Sequence, residues 1–341
     1  MSNKRLLKWL KSFNDSFPLE LSAFKKKMSD FAIKQTPFFF LIDFELQKPI
    51  LCTLDQASAL GYLFEIRGFR NFDQKKLVGR FSPIEIDPVS REKYSKAYDR
   101  VTDEIYKGNT FLLNLTFPSG IKTDTSLEDL FHLAKAPYKL YSKDEFVVYS
   151  PECFVKIIDG YVYSYPMKGT IDANLPDAEN LLEKNKKEIN EHNTIVDLIR
   201  NDLSKIAKEV TVTRFRYLDK IKTQKNEIFH TSSEIRGKLP ENWKKNLGDI
   251  LIDMMPAGSI CGAPKEKTVN IIQQVEGQER GYYTGVFGYF DGEALESAVS
   301  IRYLEKKEDK LWYRSGGGIT FLSTEEEEYE ELIKKIYVPV V

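Results

Sequence analysis

The sequence has little cysteine. Cys52, Cys153 and Cys261 are its three thiols in 341 residues. They are far apart, odd in number and match no zinc spacing, which excludes a disulfide-stapled fold and points to a reducing, cytosolic compartment. Long apolar runs are also absent. The longest, at 37–42, is far too short to span a bilayer and is expected as a buried strand. Residues 1–17 hold no apolar segment of signal-peptide length. Neither sign of charge is in excess, since 50 basic and 51 acidic residues leave a net charge of −1. A generic nucleic-acid binder carries a strongly basic footprint, so that class is excluded. Walker A and dinucleotide fingerprints are missing. So are internal repeats, low-complexity linkers and any clear domain break, so residues 1–341 are expected as one domain.

Aromatic residues are plentiful, with 22 Phe and 18 Tyr, which favours sheet. Periodicity predicts helices over 1–35, 90–106, 126–136, 247–255, 263–275 and 325–336, and one long helix over about 176–207. Ser90 and Ser126 stand at helix starts as N-caps. Strands are expected at 38–44, 50–54, 111–117, 146–149, 211–217, 227–237, 283–290, 296–304 and 311–314. A hairpin is expected from 154–158 and 161–165 around Asp159-Gly160. Strands outnumber helices and are joined mainly by hairpin-type turns. The fold class is therefore α+β with antiparallel sheets rather than a doubly wound fold.

Several stretches could carry chemistry. In Tyr165-Pro166-Met167-Lys168-Gly169-Thr170, Pro166 and Gly169 are expected to break a strand into a tight loop that aims Lys168 into a cleft. Those six residues alone favour an ordinary solvated loop lysine, and the motifs downstream shift that reading. Six glutamates crowd into 325–331. On a helix Glu328 and Glu331 share a face, and with Glu191 they are candidate ligands for a hard cation. A solvated acidic first turn, favoured by the helix dipole, is the alternative. Gly316-Gly317-Gly318 is expected as a loop whose N–H groups approach an anion, or else as a flexible turn. Arg302, expected on a strand, suits a bidentate carboxylate clamp. His230 reads as a core residue at a strand centre.

Taken together, the motifs are recognisable. Ser150-Pro151-Glu152, Pro166-Met167-Lys168-Gly169-Thr170, the run from Ile195 to Leu203, Met255-Pro256-Ala257-Gly258-Ser259, Cys261-Gly262-Ala263-Pro264-Lys265 and Ser315-Gly316-Gly317-Gly318-Ile319 occur in that order. Glu328-Tyr329-Glu330-Glu331 with Lys335 closes the series. The set resembles the chorismate-utilising enzymes, which include anthranilate synthase component I, aminodeoxychorismate synthase component I, and isochorismate and salicylate synthases. The match covers roughly 85–340, with 1–84 as a shortened N-terminal part of the core.

The resemblance implies two packed, mostly antiparallel sheets flanked by helices. It also implies Mg²⁺ on Glu191, Glu328 and Glu331. Arg302, Tyr283, the Gly316–Gly318 stretch and Lys335 would hold the carboxylates of chorismate, with Thr170, His230 and Ser259 also at the substrate. Lysine at position 168 is typical of aminodeoxychorismate synthases, where anthranilate synthases carry alanine. It implies attack by Lys168 at C2 as the C4 hydroxyl leaves, with Glu152 as acid and then base, followed by ammonia at C4. Activation of that lysine calls for a lowered pKa. Anthranilate synthase component I, or an inactive chorismate-binding subunit, is the alternative.

The sequence also departs from the family pattern. Ile171-Asp172-Ala173 stands where relatives have Arg-Pro-Arg. Leu112 replaces a glutamine or lysine base, which argues against activation of water. The tryptophan-binding signature is not evident. Neither a glutamine-hydrolysing site nor a pyridoxal-phosphate lyase domain is found, so a separate glutamine amidotransferase subunit and a separate lyase are expected, with no nucleic-acid or membrane partner.

Overall fold

The computed structural model describes residues 18–75, 82–222 and 227–339. The expected helix over 1–35 is seen as Leu21–Ile33. Its first half, 1–17, lies outside the described residues.

Phe38–Ile42 shows how the core is layered. All five residues are buried. Successive side chains of a strand point to opposite faces. Phe38, Phe40 and Ile42 pack with Phe24, Met28 and Ala32 of the helix Leu21–Ile33. Phe39 and Leu41 face the other way, onto Phe64, Ile66, Leu140, Phe146 and Val148. The Phe39 and Phe64 rings stack at 5.1 Å across that interface. Residues Phe146–Ser150 repeat the pattern in the second sheet. Phe146 and Val148 point inward. Val147 and Tyr149 point outward, under Leu127, Leu130 and Phe131 of the helix Leu127–Leu133. The result is two sheets packed face to face with helices outside, the α+β architecture expected.

Each sheet has nine strands among the described residues. The first runs Met167–Asp172, Glu227–Lys238, Tyr161–Ser164, Cys153–Ile158, Leu295–Val299, Val286–Phe290, Phe38–Ile42, Ile50–Thr53, with Lys208–Lys222 also on Glu227–Lys238. The second runs Gly262–Ala263, Leu112–Lys122, Lys310–Ile319, Tyr303–Lys307, Phe146–Ser150, Tyr138–Ser142, Tyr62–Ile66, Phe69–Arg70, with Glu85–Asp87 on Leu112–Lys122. All pairings are antiparallel.

Four expectations change. The strand over 296–304 is two strands, Leu295–Val299 and Tyr303–Lys307, in different sheets. The Gly316–Gly318 loop is part of the strand Lys310–Ile319, paired with Leu112–Lys122 as far as Ile319↔Leu113. The loop at Lys168 is the strand Met167–Asp172 with a bulge. The long helix is two, Ala178–Lys184 and Lys186–Ser204. Asn185 between them is extended, and its Oδ1 accepts from the Glu188 N–H, 3.3 Å away, as an N-cap does. No described helix is long and apolar enough to cross a membrane.

Candidate active site

Lys168 is held by a register slip. It pairs with Thr231, and the ladder then shifts before Thr170 pairs with His230. Gly169 makes the bulge, with φ +81°. Any Cβ there would lie 2.9 Å from Glu188 Oε2 and 3.2 Å from Leu182 Cδ1, so only glycine fits. The Thr231 hydroxyl donates to the Lys168 carbonyl. The side chain is half-buried, with Nζ 3.2 Å from Glu191 Oε2. Burial pushes its pKa down, but Glu191, Glu331 and Glu188 outweigh that and hold it above the usual lysine value. The expected lowering is therefore reversed in this arrangement, because carboxylates and not cations surround the amine.

Glu191 stands on the helix Lys186–Ser204 beside His192, which is fully buried. His192 Nε2 lies 2.7 Å from the Ser233 hydroxyl. Ser233 also accepts from the Arg216 N–H at 2.9 Å, and its own N–H donates to the Pro166 carbonyl at 3.0 Å. One serine thus pins the glutamate helix to the strand that leads into Lys168.

Glu152 and Arg302 come from two of the places where the chain passes between the sheets. Ser150-Pro151-Glu152 leads from Phe146–Ser150 in the second sheet to Cys153–Ile158 in the first. Ser300-Ile301-Arg302 leads back from Leu295–Val299 to Tyr303–Lys307. The crossings are stitched by Val299 N–H to the Glu152 carbonyl and Tyr149 N–H to the Arg302 carbonyl, both 3.1 Å. Arg302 is left-handed, with φ +54°. It is thus at a bend in the crossing and not within a strand. Its guanidinium lies over the Tyr337 ring at 5.1 Å, and its buried Nε has no hydrogen-bond partner among the described residues. An orphaned buried donor of this kind suits an incoming anion. Ser259 Oγ donates to Glu152 Oε1. Burial raises the Glu152 pKa, against the opposing pull of Ser259, Lys168, Lys335 and Arg302.

The acidic helix Glu325–Lys334 divides its glutamates between two tasks. Glu325 and Glu326 bind Arg91 at 2.8 and 2.7 Å on the surface. Glu328, which is buried, and Glu331, which is exposed, both reach over Gly317, where an added Cβ would sit 2.9 Å from Glu328 Oε2 and 3.8 Å from Glu331 Oε1. Glu328 accepts from Ser323 Oγ at 2.7 Å. Lys335 Nζ bridges Glu331 Oε1 at 2.5 Å and the Gly316 carbonyl at 2.9 Å. Burial lowers the Lys335 pKa despite Glu331. Among the described residues no strand pairs with the second edge of Ser315–Ile319, where the Gly316 carbonyl is taken by Lys335. The glycines therefore offer an edge for a ligand, on a strand instead of a loop.

Lys168, Glu191, Glu331, Lys335, Glu152 and Arg302 form one electrostatic neighbourhood. Ser259 joins it through Glu152. Tyr283 is buried, with its phenol pushed up to about 12 by burial and Arg302 among the cations pulling it back. His230 is buried beside Asp219, 3.7 Å away, and burial lowers its pKa. Its place next to Thr170 is one of strand register alone. The Thr170 side chain lies outside the described residues.

Sequence reasoning missed Glu188, although its spacing from Glu191 mirrors that of Glu328 and Glu331. It also missed buried Asp202, which binds Lys265 at 2.8 Å and Lys205 at 2.9 Å. Among the described residues no three His, Cys, Asp or Glu side chains stand close enough to form a ready-made metal site. Mg²⁺ does not need one, because it takes one or two carboxylates and completes its shell with substrate and water. Glu328 and Glu331 reach over Gly317, and Glu191 bonds Lys168, whose charge Glu331 also supports; carboxylate oxygens are the donor type such an ion takes.

The chain that places Glu152 and Arg302 at crossings of this sheet sandwich matches the profile of a chorismate binding enzyme over residues 63–340. The chain belongs to that family. It is 55% identical, over 94% of its length and all of the other, to an uncharacterised PabA-like protein of Pasteurella multocida. Aminodeoxychorismate synthase component 1 of Bacillus subtilis is 28% identical over 73% of this chain and 55% of that one. Anthranilate synthase component 1 of Acetivibrio thermocellus is 29% identical over 72% and 52%. The menaquinone-specific isochorismate synthase of Escherichia coli shares the fold, with a TM-score of 0.70 over 92% of this chain and 80% of that one at 16% identity.

Proposed function

We propose that this chain aminates chorismate as the synthase component of an aminodeoxychorismate synthase, supplying para-aminobenzoate and folate synthesis in the cytoplasm. The supporting observation is Lys168, an amine fixed at a bulge within the electrostatic reach of the half-buried acid Glu152. Arg302, Tyr283, Lys335 and the open edge at Gly316–Gly318 receive the two carboxylates of the substrate, with Thr170 and His230 lining the approach.

Lys168 Nζ bonds to ring C2, the double bond shifts, and the C4–O bond breaks. Glu152 gives its proton to the departing oxygen, which leaves as water. Ammonia then bonds to C4, the double bond shifts back, and the C2–N bond to Lys168 breaks. Glu152 takes up the proton released by the new amine. Splitting one displacement in two is covalent catalysis, with the acid reset as base. A divalent cation such as Mg²⁺ on Glu191, Glu328 and Glu331 would neutralise the charges that keep Lys168 protonated and balance a substrate carboxylate. Ammonia comes from a glutamine amidotransferase partner or from solution, and a separate pyridoxal-phosphate lyase releases pyruvate.

The test is product analysis of the purified chain with chorismate, Mg²⁺ and ammonium, alongside Lys168→Ala. Aminodeoxychorismate from the wild type and its loss in the variant support the reading. Anthranilate with pyruvate release moves the chain to the other branch, and no loss of chorismate leaves only binding.

A further inference from the structure

We infer that Asn114 is a positioning residue for the acid, acting through Ser259 under the control of the buried Arg280–Glu276 pair. This rests on the reading of Glu152 given above.

Asn114 lies on Leu112–Lys122, opposite Gly318. Its Nδ2 donates to the Ser259 carbonyl at 3.1 Å. That partner can only accept, so the amide orientation is set by chemistry. Ser259 in turn donates its hydroxyl to Glu152. The carbonyls on either side of this contact are held by one guanidinium. Arg280 donates to the Ile260 carbonyl at 3.0 Å and to the Asn114 carbonyl at 2.7 Å. Arg280 is fixed by Glu276 at 2.6 and 3.0 Å, and Glu276 accepts from both the N–H and the hydroxyl of Thr116 at 2.9 Å. Glu45 receives the backbone N–H groups of Arg280 and Gly281 at 2.8 and 2.9 Å. The short helix Gly258–Cys261 has a single turn and no side-chain cap. Its serine therefore depends on contacts from outside the helix.

Besides Ser259, the charged groups facing Glu152 are Lys168, Lys335 and Arg302, and Asp202 lines the same cavity. The Ser259 hydroxyl favours the carboxylate form. Freeing Ser259 from Asn114 removes that bias and leaves the acid protonated to higher pH. The acid then donates from the wrong place.

The experiment is a double-mutant cycle on the full chain with Asn114→Ala, Ser259→Ala and both, plus Asn114→Asp as a variant of equal size. Asn114→Ala should lower kcat about 10- to 100-fold, a fraction of what a general acid supplies, with KM for chorismate within about twofold. The alkaline limb of kcat should move to higher pH, and the double variant should be no slower than Ser259→Ala alone. Asn114→Asp, which has no N–H to give, should behave as Asn114→Ala. Additive losses, a loss carried by KM, or an unmoved alkaline limb overturn the inference. If the wild type consumes no chorismate, the functional reading fails by itself. The Glu152 carboxyl is then titrated by ¹³C NMR, assigned by its absence in Glu152→Gln. An upward midpoint shift in either Asn114 variant sustains the positioning role, and an unchanged midpoint ends it.

Discussion

Arg280–Glu276 and Lys168–Glu191 each set a cation against a glutamate, and the surroundings give them different uses. The first pair is 1% and 0% exposed, and every arm of the guanidinium meets an oxygen. Phe44 covers its face at 4.7 Å. The second pair is 37% and 31% exposed, joined by one contact of 3.2 Å. A saturated buried pair fixes structure, and removing one partner strands a charge. A half-open pair can trade its partner for a ligand.

The largest effect should fall on the open pair. Lys168→Ala should cut amination at least ~10³-fold, the scale on which a covalent nucleophile acts, with the urea midpoint nearly unmoved. Glu152→Gln should follow at about 10²- to 10⁴-fold in kcat. In the wild type kcat should fall as pH rises through the raised Glu152 pKa, since the acid form is the active one. Arg280→Met should show the converse. It should cost about 3–5 kcal/mol in urea unfolding, with a smaller loss of kcat in the protein that remains folded, passed on through Asn114 and Ser259. A stability change as large for Lys168→Ala as for Arg280→Met would erase the distinction between the pairs.

A smaller effect should appear with pH. Burial holds His132 below its ordinary pKa, and neither ring nitrogen has a hydrogen-bond partner among the described residues. A histidine depressed in the folded state contributes stability that is present above its unfolded pKa of about 6.5 and lost as pH falls below it. His132→Phe should flatten that acid slope in urea titrations. The smallest effect should come from Lys96→Ala. This removes an exposed pair with Glu92 and should change stability by less than ~0.5 kcal/mol.

Much of this was legible in the chain. The Asp159-Gly160 hairpin and the Ser90 and Ser126 caps are local events, and they form where the residues indicate. The motif order marked Glu152, Lys168, Glu191, Arg302, Glu331 and Lys335, which the fold brings into one electrostatic neighbourhood. The sheet crossing between Leu295–Val299 and Tyr303–Lys307 was not legible, because apolar residues continue through Val299, Ile301, Tyr303 and Leu304 while the partner strand changes. Periodicity reports a buried face and not which sheet buries it. The glycine stretch reads as a turn until Leu112–Lys122 is laid against it. Arg280–Glu276 has ordinary helix-surface spacing, and only the folded chain shows it at the centre.

The pairing of Phe38–Ile42 also bears on how the protein is made. Its second neighbour, Val286–Phe290, lies roughly 250 residues later. At about 5–20 residues per second, a ribosome needs on the order of 10–50 s to supply it. Through that interval an all-apolar strand, Phe-Phe-Phe-Leu-Ile, waits with one edge unpaired. Such edges template association between nascent chains. Synthesis in the cell should therefore lean on chaperones that shield the first fifty residues, and yield should fall with translation speed before any change in the catalytic groups is felt.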